Sequence, residues 1–378
     1  MKEDIRFKLD KIADIWNYFI WDYRYCSSKI KFNDDVKTNY FGDILGYFQD
    51  TLDIVFETKR LSNEYSEKFS HTISFLQAIY IQQDFVEELL GIFRTSIDKG
   101  HLKNDHLYSI NRDLRNELIG HPIRKFEGKL ISSTLFSYQA NEGEIQYLRY
   151  HTDNKFQSEK KTYLIEDIQQ RHKEFLEKYF EIILQKLRTI LDEFVSELEK
   201  LEKVIINRDF STVLKLVELY FEAIFENDYL YDKESLLNIY ARKDEHQRYH
   251  NLIDRFYKDL KSAIADKKKF VTEIYEREKI EYSQISNVEL PQIDFLFTDS
   301  TTTKTSKEEQ KTTYHYEIGK IATKRNAMDF DFFGGLLRSK CENNELVLNE
   351  LNHMEKNIYN EIEYYTSLRL ICAELSEE

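Results

Sequence analysis

One short stretch of the sequence gathers residues that could carry out acid–base chemistry on a charged substrate. Arg112, Arg115 and Asn116 are followed within a few positions by His121. Histidine titrates near neutral pH without perturbation, so His121 could move protons, and arginine offers a permanent, fork-shaped cation that fits a phosphate group. Asparagine could orient either partner. Cleavage of RNA by its own 2′-hydroxyl needs such a proton carrier and such a cation, and it needs no metal ion.

The stretch from Leu107 to Pro122 is predicted to be an amphipathic helix that ends just before His121. Its apolar stripe at helical spacing consists of Leu107, Ile110, Leu114 and Leu118. Gly120 is the natural C′ residue of this helix, and Pro122 prevents the helix from resuming. His121 is therefore expected just past the helix end, where a bend sets its direction. The alternative is an ordinary surface helix whose histidine forms a local hydrogen bond.

The fuller string Arg115-Asn116-Glu-Leu-Ile-Gly-His121 resembles the signature of the HEPN superfamily, a group of helical domains related to nucleic acids. Many members are metal-independent ribonucleases of toxin, anti-phage and CRISPR-associated systems. The resemblance implies that Arg115 and His121 are the catalytic pair and that Asn116 is the polar residue that follows the arginine. It covers one motif in about the first half of the chain. Ile123 stands where one branch carries a tyrosine modified by its antitoxin, so the resemblance does not extend to that control.

The segment from Arg112 to Lys129 is locally basic in an acidic protein. It holds five basic and three acidic residues, whereas the whole chain of 378 residues has a net charge of −14. The acidic balance argues against a general nucleic-acid-binding surface, because phosphate contacts need lysine and arginine, but it leaves room for a small positive site. We therefore predict that Arg112, Arg124 and Lys125 bind substrate. A pattern this short is also typical of an ordinary solvated surface.

The predicted function is that of an endoribonuclease, a toxin or anti-phage defence effector that cuts RNA and uses no cofactor. Related domains usually dimerise so that two motifs line one cleft, which predicts a homodimer formed through the N-terminal domain. An antitoxin or sensor protein would be a further partner of such an effector. The alternative hypotheses are a catalytically inactive helical module that binds a protein or nucleic acid and, third, a structural coiled-coil protein.

Composition predicts an all-α, mainly helical fold, because 378 residues include only 10 glycines and 2 prolines. One stretch departs from helical periodicity. Lys129 to Ser137 and Glu144 to Tyr150 are rich in β-branched and aromatic residues, which predicts one β-hairpin at about 129–151, directly after the motif helix. Its Arg149 and His151 either face the substrate or belong to an insertion that only covers the core.

The chain is predicted to hold two domains. A charged, periodic stretch from Ile165 to about Val204 reads as one long helix, and the best boundary follows it. The predicted domains are a HEPN-like helical domain at 1–206 and a C-terminal helical domain at 207–378. Residues 298–313 are polar and of low complexity, which predicts a mobile loop.

Other sequence features bear on compartment and metal binding. Three widely spaced cysteines and a charged N-terminus predict a reduced cytoplasmic location without a secretory signal, and no apolar run is long enough to cross a membrane. His246 and His250 are four residues apart, but no third zinc ligand is evident, so we predict no metal site. Arg325-Asn326 repeats the start of the motif without a closing histidine.

Overall fold

The structure, a computed structural model, divides into two compact units, Met1–Val195 and Ser196–Glu378. It describes residues 2–57, 64–135, 143–155, 157–225, 231–276, 314–323 and 325–375. The predicted mainly helical class is confirmed, and one small antiparallel sheet accompanies the helices. The predicted loop at 298–313 lies outside the described residues, and the domain limits at 206/207 stay a prediction.

The first unit contains the motif and the sheet. Its helices are α1 (Lys2–Ile15), α2 (Arg24–Ser28), α3 (Phe41–Phe56), α4 (Tyr65–Ile92), α5 (Lys99–Asn104), α6 (His106–Arg115) and α7 (Ile165–Asn207), the end of which belongs to the second unit. Five-residue π-helical turns occur at Trp16–Ile20, Val36–Tyr40 and Asn116–Gly120. The third of these turns continues α6 directly, so the motif spans the junction between an α-helix and a π-helical turn.

An antiparallel sheet follows the motif. Its strands, in their order across the sheet, are β1 (Ile123–Phe126), β2 (Lys129–Leu135), β3 (Glu144–His151) and β4 (Ser158–Leu164). The single hairpin predicted from the sequence was wrong in strand number, because it missed β1 and β4. β1 has only four residues, and β4 is polar and largely exposed, so neither strand carries a hydrophobic alternation that a pattern search could find.

One face of the sheet packs on the helices. Leu135 lies opposite Tyr147 in the β2–β3 pair, and Ile145 lies opposite Tyr163 in the β3–β4 pair. Paired residues of antiparallel strands share a face, and these share the buried one. The core cluster on that face consists of Val55, Phe75, Leu76, Ala78, Ile79, Leu114, Leu118, Leu135, Ile145, Tyr147 and Ile168. The cluster joins the motif segment to α3, α4, α7 and the sheet.

The second unit is helical in its described residues. Its helices are α8 (Phe210–Tyr220), α9 (Lys233–Ala241), α10 (Gln247–Glu276), α11 (His315–Thr323), α12 (Ala327–Lys340), α13 (Glu345–Lys356) and α14 (Glu361–Leu375). Apolar residues of α11 to α14 form a core, and a half-buried ion network ties α10 to α13 and α14. In that network Arg248 donates to both carboxylate oxygens of Glu350 at 3.0 Å and to Glu363 at 3.4 Å. No helix in the described part of the chain combines the length and the apolar character needed to cross a bilayer.

A buried polar network crosses the core of the first unit. Nε2 of His172 on α7 lies 2.7 Å from Oε1 of Gln82 on α4, and Nε2 of Gln82 donates to Oγ1 of Thr51 on α3 at 2.9 Å. Since the Gln82 amide nitrogen donates to Thr51, the Gln82 amide oxygen accepts the hydrogen bond from His172. This fixes the neutral tautomer of His172 that is protonated at Nε2. Burial lowers the pKa of His172 to about 3.

We predict that His172 makes the stability of the protein depend on pH. Between pH 6.5 and the folded pKa of about 3, the unfolded chain binds a proton at this histidine and the folded chain does not. The free energy of unfolding therefore falls with pH, by about 1.4 kcal/mol per pH unit from this group. Denaturant titrations between neutral pH and about pH 4 should show a shallower slope for His172→Gln than for the wild type.

The exposed His101 on α5 provides the matched control. His101→Gln should keep the wild-type slope, because it removes an exposed side chain and leaves the hydrogen bond of His172 intact. Equal slopes for His172→Gln and the wild type would contradict the assignment.

Candidate active site

Asp105 fixes the N-terminus of α6. Its carboxylate accepts from the backbone N–H of Leu107 at 2.9 Å, and from Lys178 Nζ and the Tyr179 hydroxyl, each at 2.7 Å. Burial opposes ionisation of this group, but the hydrogen bonds from Lys178 and Tyr179 outweigh it and lower the pKa of Asp105. The cap satisfies a free N–H of the helix and ties α6 to α7.

The buried face of α6 differs from the predicted apolar stripe. Tyr108 and Asn111 are buried, whereas Ile110 is 38% exposed. Asn111 tolerates burial because its Nδ2 donates to the Ile168 carbonyl oxygen at 3.0 Å and its Oδ1 accepts from Arg171 Nη1 at 2.7 Å. Leu114 and Leu118 of the predicted stripe are buried as well, but a count of apolar residues alone leaves out a buried polar residue such as Asn111.

The motif segment forms the π-helical turn Asn116–Gly120. The backbone N–H of His121 donates to the Asn116 carbonyl oxygen at 2.7 Å, five residues earlier in the chain. Gly120 was expected to end the helix as its C′ residue, but it lies within the turn. The glycines with positive φ in the described residues are Gly128 and Gly143. His121 leaves the helical geometry, with φ −142° and ψ 61°.

The small size of Gly120 serves a different purpose, which is the close approach of Arg115. A Cβ atom at this position would lie 3.0 Å from Arg115 Nη1 and 3.5 Å from Asn116 Oδ1. The glycine thus allows the turn to close against the guanidinium group. As a result, the backbone next to His121 passes close to the side chains of Arg115 and Asn116.

Residues of α4 hold the Arg115 side chain. Its Nε and Nη2 donate to Gln77 Oε1 at 3.1 and 2.9 Å, and its Nη1 donates to Asn116 Oδ1 at 3.2 Å. The guanidinium carbon also lies 4.0 Å from the ring centre of Tyr80. A guanidinium group has five N–H donors, so these contacts leave two for a ligand.

The predicted substrate ligands Arg112 and Lys125 take different positions. Arg112 pairs with Asp84 at 2.7 Å, and its guanidinium carbon also lies 4.0 Å from the Tyr80 ring centre. Burial opposes the charge, but the bond to Asp84 outweighs it and raises the pKa of Arg112. Lys125 is exposed on β1, on the face opposite to Arg124, because successive strand residues alternate. Their role in substrate binding stays a prediction.

The carboxylate of Glu117, in the motif segment, contacts two arginine side chains. Its Oε1 accepts from Ser133 Oγ at 2.8 Å, and its Oε2 accepts from the Tyr147 hydroxyl at 3.2 Å. Arg149 Nε and Arg124 Nη2 lie 3.3 and 3.7 Å from Oε1. In the sequence, Glu117 is only one of the three acidic residues between Arg112 and Lys129. The alternation of β3 could have indicated this grouping, since Tyr147 and Arg149 are two residues apart and share a face.

His121 presents its side chain to solvent at the end of this arrangement. Arg124 Nη1 donates to the His121 carbonyl oxygen at 3.1 Å and so restrains the backbone of that residue. The imidazole is exposed, and no hydrogen bond joins it to the described residues. His151, the other histidine considered near the site, is 17% exposed, and its Nδ1 accepts from the Asp153 N–H at 3.0 Å. His121 is therefore better placed than His151 to exchange protons with a ligand.

The remaining sequence candidates have structural roles. His246 precedes α10 and accepts from the Arg248 N–H at 3.1 Å, while His250 pairs with Asp244 at 3.4 Å. Among the residues that the structure describes, no group of three or more His, Cys, Asp or Glu could hold a metal ion. Asn326 caps the start of α12, where its Oδ1 accepts from the Asp329 N–H at 2.9 Å. The second Arg-Asn pair thus begins a helix, unlike the motif, which ends one.

Comparisons with known proteins identify no relative of this chain. No protein-family model matches it, and no curated protein or solved structure is significantly similar to it.

We predict that Gly120→Ala destabilises the protein by about 1 kcal/mol. Gln77, Asn116 and Tyr80 hold the Arg115 guanidinium, so it cannot give way to the new methyl group without losing a hydrogen bond. Gly46→Ala in α3 is the matched control, because nothing lies within 4 Å of its added Cβ. That substitution should stabilise by about 0.5–1 kcal/mol through helix propensity alone.

Urea denaturation of both variants measures the difference. In an Arg115→Ala background, the cost of Gly120→Ala should disappear. If Gly120→Ala is as stabilising as Gly46→Ala, the close approach of Arg115 does not constrain this position.

Proposed function

We propose that this chain is a metal-independent endoribonuclease in which Arg115, Asn116 and His121 form the catalytic group. The observation that supports the proposal most is the π-helical turn. It sets Gly120 so close to the Arg115 guanidinium that an added Cβ would lie 3.0 Å from Nη1, and the next residue, His121, is exposed. The resemblance of the motif to HEPN ribonucleases adds RNA as the substrate. A role as a toxin or anti-phage effector, controlled by an antitoxin or sensor protein, belongs to the same proposal.

The proposed reaction uses the ribose 2′-hydroxyl of the RNA as the nucleophile. His121 accepts the proton of this hydroxyl, the 2′ oxygen forms a bond to phosphorus, and the bond from phosphorus to the 5′ oxygen breaks. The second His121 of the dimer proposed below donates a proton to the leaving 5′ oxygen. The products are a 2′,3′-cyclic phosphate and a 5′-hydroxyl end. The two free N–H donors of Arg115 stabilise the negative charge that grows on the phosphate oxygens.

The predicted substrate ligands enter this proposal in unequal ways. Arg124 is joined to the His121 carbonyl oxygen and lies on the sheet face that meets Glu117, so it supports a contact with the phosphate next to His121. Lys125, on the opposite face of β1, would contact another part of the RNA. Arg112 acts through Tyr80, since both Arg112 and Arg115 lie against that ring.

The proposed active form is a two-fold dimer of the first unit with the two motifs facing one cleft. The sequence of each subunit contains one Arg-Asn-x4-His motif. A single histidine cannot accept one proton and donate another at the same moment. A symmetric interface supplies a second His121 without any further sequence. Exchanging wild-type subunits with an excess of His121→Ala subunits should therefore lower the activity per wild-type subunit, because a mixed dimer holds only one His121. A fully active monomer would contradict the dimer.

For the function itself, we expect His121→Ala to reduce RNA cleavage at least a hundredfold, because general acid–base catalysis contributes about 10² to 10⁴. His121 is exposed, so its replacement should change the free energy of unfolding by less than about 0.5 kcal/mol. Arg115→Lys should fail as well, since an ammonium group cannot reproduce the planar fork. His101→Ala, a change at another exposed histidine, is the matched control and should keep full activity.

A catalytically inactive module that binds a protein or nucleic acid is the second candidate. The observation that favours it is the engagement of three Arg115 donors inside the protein. Cleavage by the wild type that matches that of His121→Ala would select this alternative.

A further inference from the structure

Two arginines that share one carboxylate on the sheet face next to the motif point to a ligand. Arg124 and Arg149 both contact Glu117, whereas Glu159, opposite Arg149 in the β3–β4 pair, is paired with Lys161 at 2.6 Å. Glu117 is only 15% exposed, while Arg124 and Arg149 are 25% and 30% exposed. The Glu117 side chain is therefore largely shielded from solvent, whereas the side chains of Arg124 and Arg149 are partly exposed.

Glu117 is built into the site as a fixed anion. Ser133 Oγ and the Tyr147 hydroxyl both donate to it, at 2.8 and 3.2 Å. Burial, and next the charge of Glu117, raises the pKa of Tyr147, so the phenol stays protonated and continues to donate. The Glu117 carboxylate contacts Arg149 through Nε and Arg124 through Nη2.

The strand register explains why Arg149 reaches this position. Ser133 of β2 lies directly opposite Arg149 of β3, so their side chains share a face. Tyr147 lies on the same face, two residues before Arg149. Arg149 faces Glu117 with Nε, and no hydrogen bond within the described residues engages its Nη1 or Nη2. These two nitrogens form a planar pair of donors that can bind a phosphate oxygen pair.

We propose that Arg149 binds a phosphodiester of single-stranded RNA next to the one that is cleaved, and that Glu117 positions Arg149 and Arg124 for this purpose. The inference rests on the proposed ribonuclease function for the identity of its ligand. Arg124 links the two phosphate positions, since it contacts both Glu117 and the His121 carbonyl oxygen. The sheet thereby contributes a substrate contact from outside the motif.

The test measures binding of a 2′-O-methyl oligonucleotide, which the protein cannot cut because its 2′ oxygen is blocked. Arg149→Gln should weaken binding roughly tenfold, as expected for the loss of one charge-assisted contact. The slope of log K against log salt should fall by about 0.7, the value for one phosphate of a single strand. Arg188→Gln, at an exposed arginine of α7, is the matched control and should bind as the wild type does.

A double variant separates a phosphate contact from simple neutralisation of Glu117. If Arg149 only balances that carboxylate, Glu117→Gln with Arg149→Gln should bind as well as the wild type, which would overturn the proposal. If Arg149 contacts phosphate, the double variant should bind about as weakly as Arg149→Gln. Wild-type binding by Arg149→Gln would also overturn the proposal.

The binding assay does not depend on cleavage, so the two proposals can fail separately. Arg149-dependent binding by a protein that cuts no RNA would refute the ribonuclease and leave the phosphate site standing. RNA cleavage by a protein whose binding is unchanged by Arg149→Gln would refute the phosphate site and leave the ribonuclease proposal standing. In a cleaving protein, Arg149→Gln should raise KM by about the same tenfold factor and change kcat by less than about twofold, because the residue contacts substrate outside the reacting phosphate.

Discussion

The backbone hydrogen bond from His121 N–H to the Asn116 carbonyl oxygen, 2.7 Å long, decides where the motif side chains lie. It closes a wider turn than an α-helix allows, so the chain returns to the Arg115 side of the helix end. Gly120 is the residue that meets the guanidinium, and a side chain there would collide with it.

Two supports keep this turn in place, one on each side. On the helical side, Gln77 and Tyr80 of α4 hold Arg115, and the buried Leu114 and Leu118 fasten the segment to the core. On the sheet side, the carboxylate of Glu117 is bound by hydroxyl groups and guanidinium groups of three strands. The sheet is therefore part of the site's support, since it supplies these hydroxyl and guanidinium partners of Glu117.

The sequence predicted the helical class and the motif because both depend on local patterns. Few glycines and prolines predict helices, and Arg115, Asn116 and His121 lie within seven residues of one another. It could not predict β1 and β4, which are short or polar and exist only through pairing with β2 and β3. It also could not show that Asn111 is buried, since that depends on Ile168 and Arg171, more than fifty residues away in the chain. The role of Glu117 was missed for the same reason, as its hydroxyl donors are on later strands.

The central claim is that the group around Arg115 and His121 cleaves RNA through the ribose 2′-hydroxyl. Its most direct test is a DNA oligonucleotide that contains a single ribonucleotide, incubated with the wild-type protein and followed by mass analysis of the products. The account predicts a cut only on the 3′ side of that ribose, with a 2′,3′-cyclic phosphate and a 5′-hydroxyl end, and no cut when the ribose is 2′-O-methylated. Cleavage of the all-DNA strand, or products with a 5′-phosphate, would contradict it.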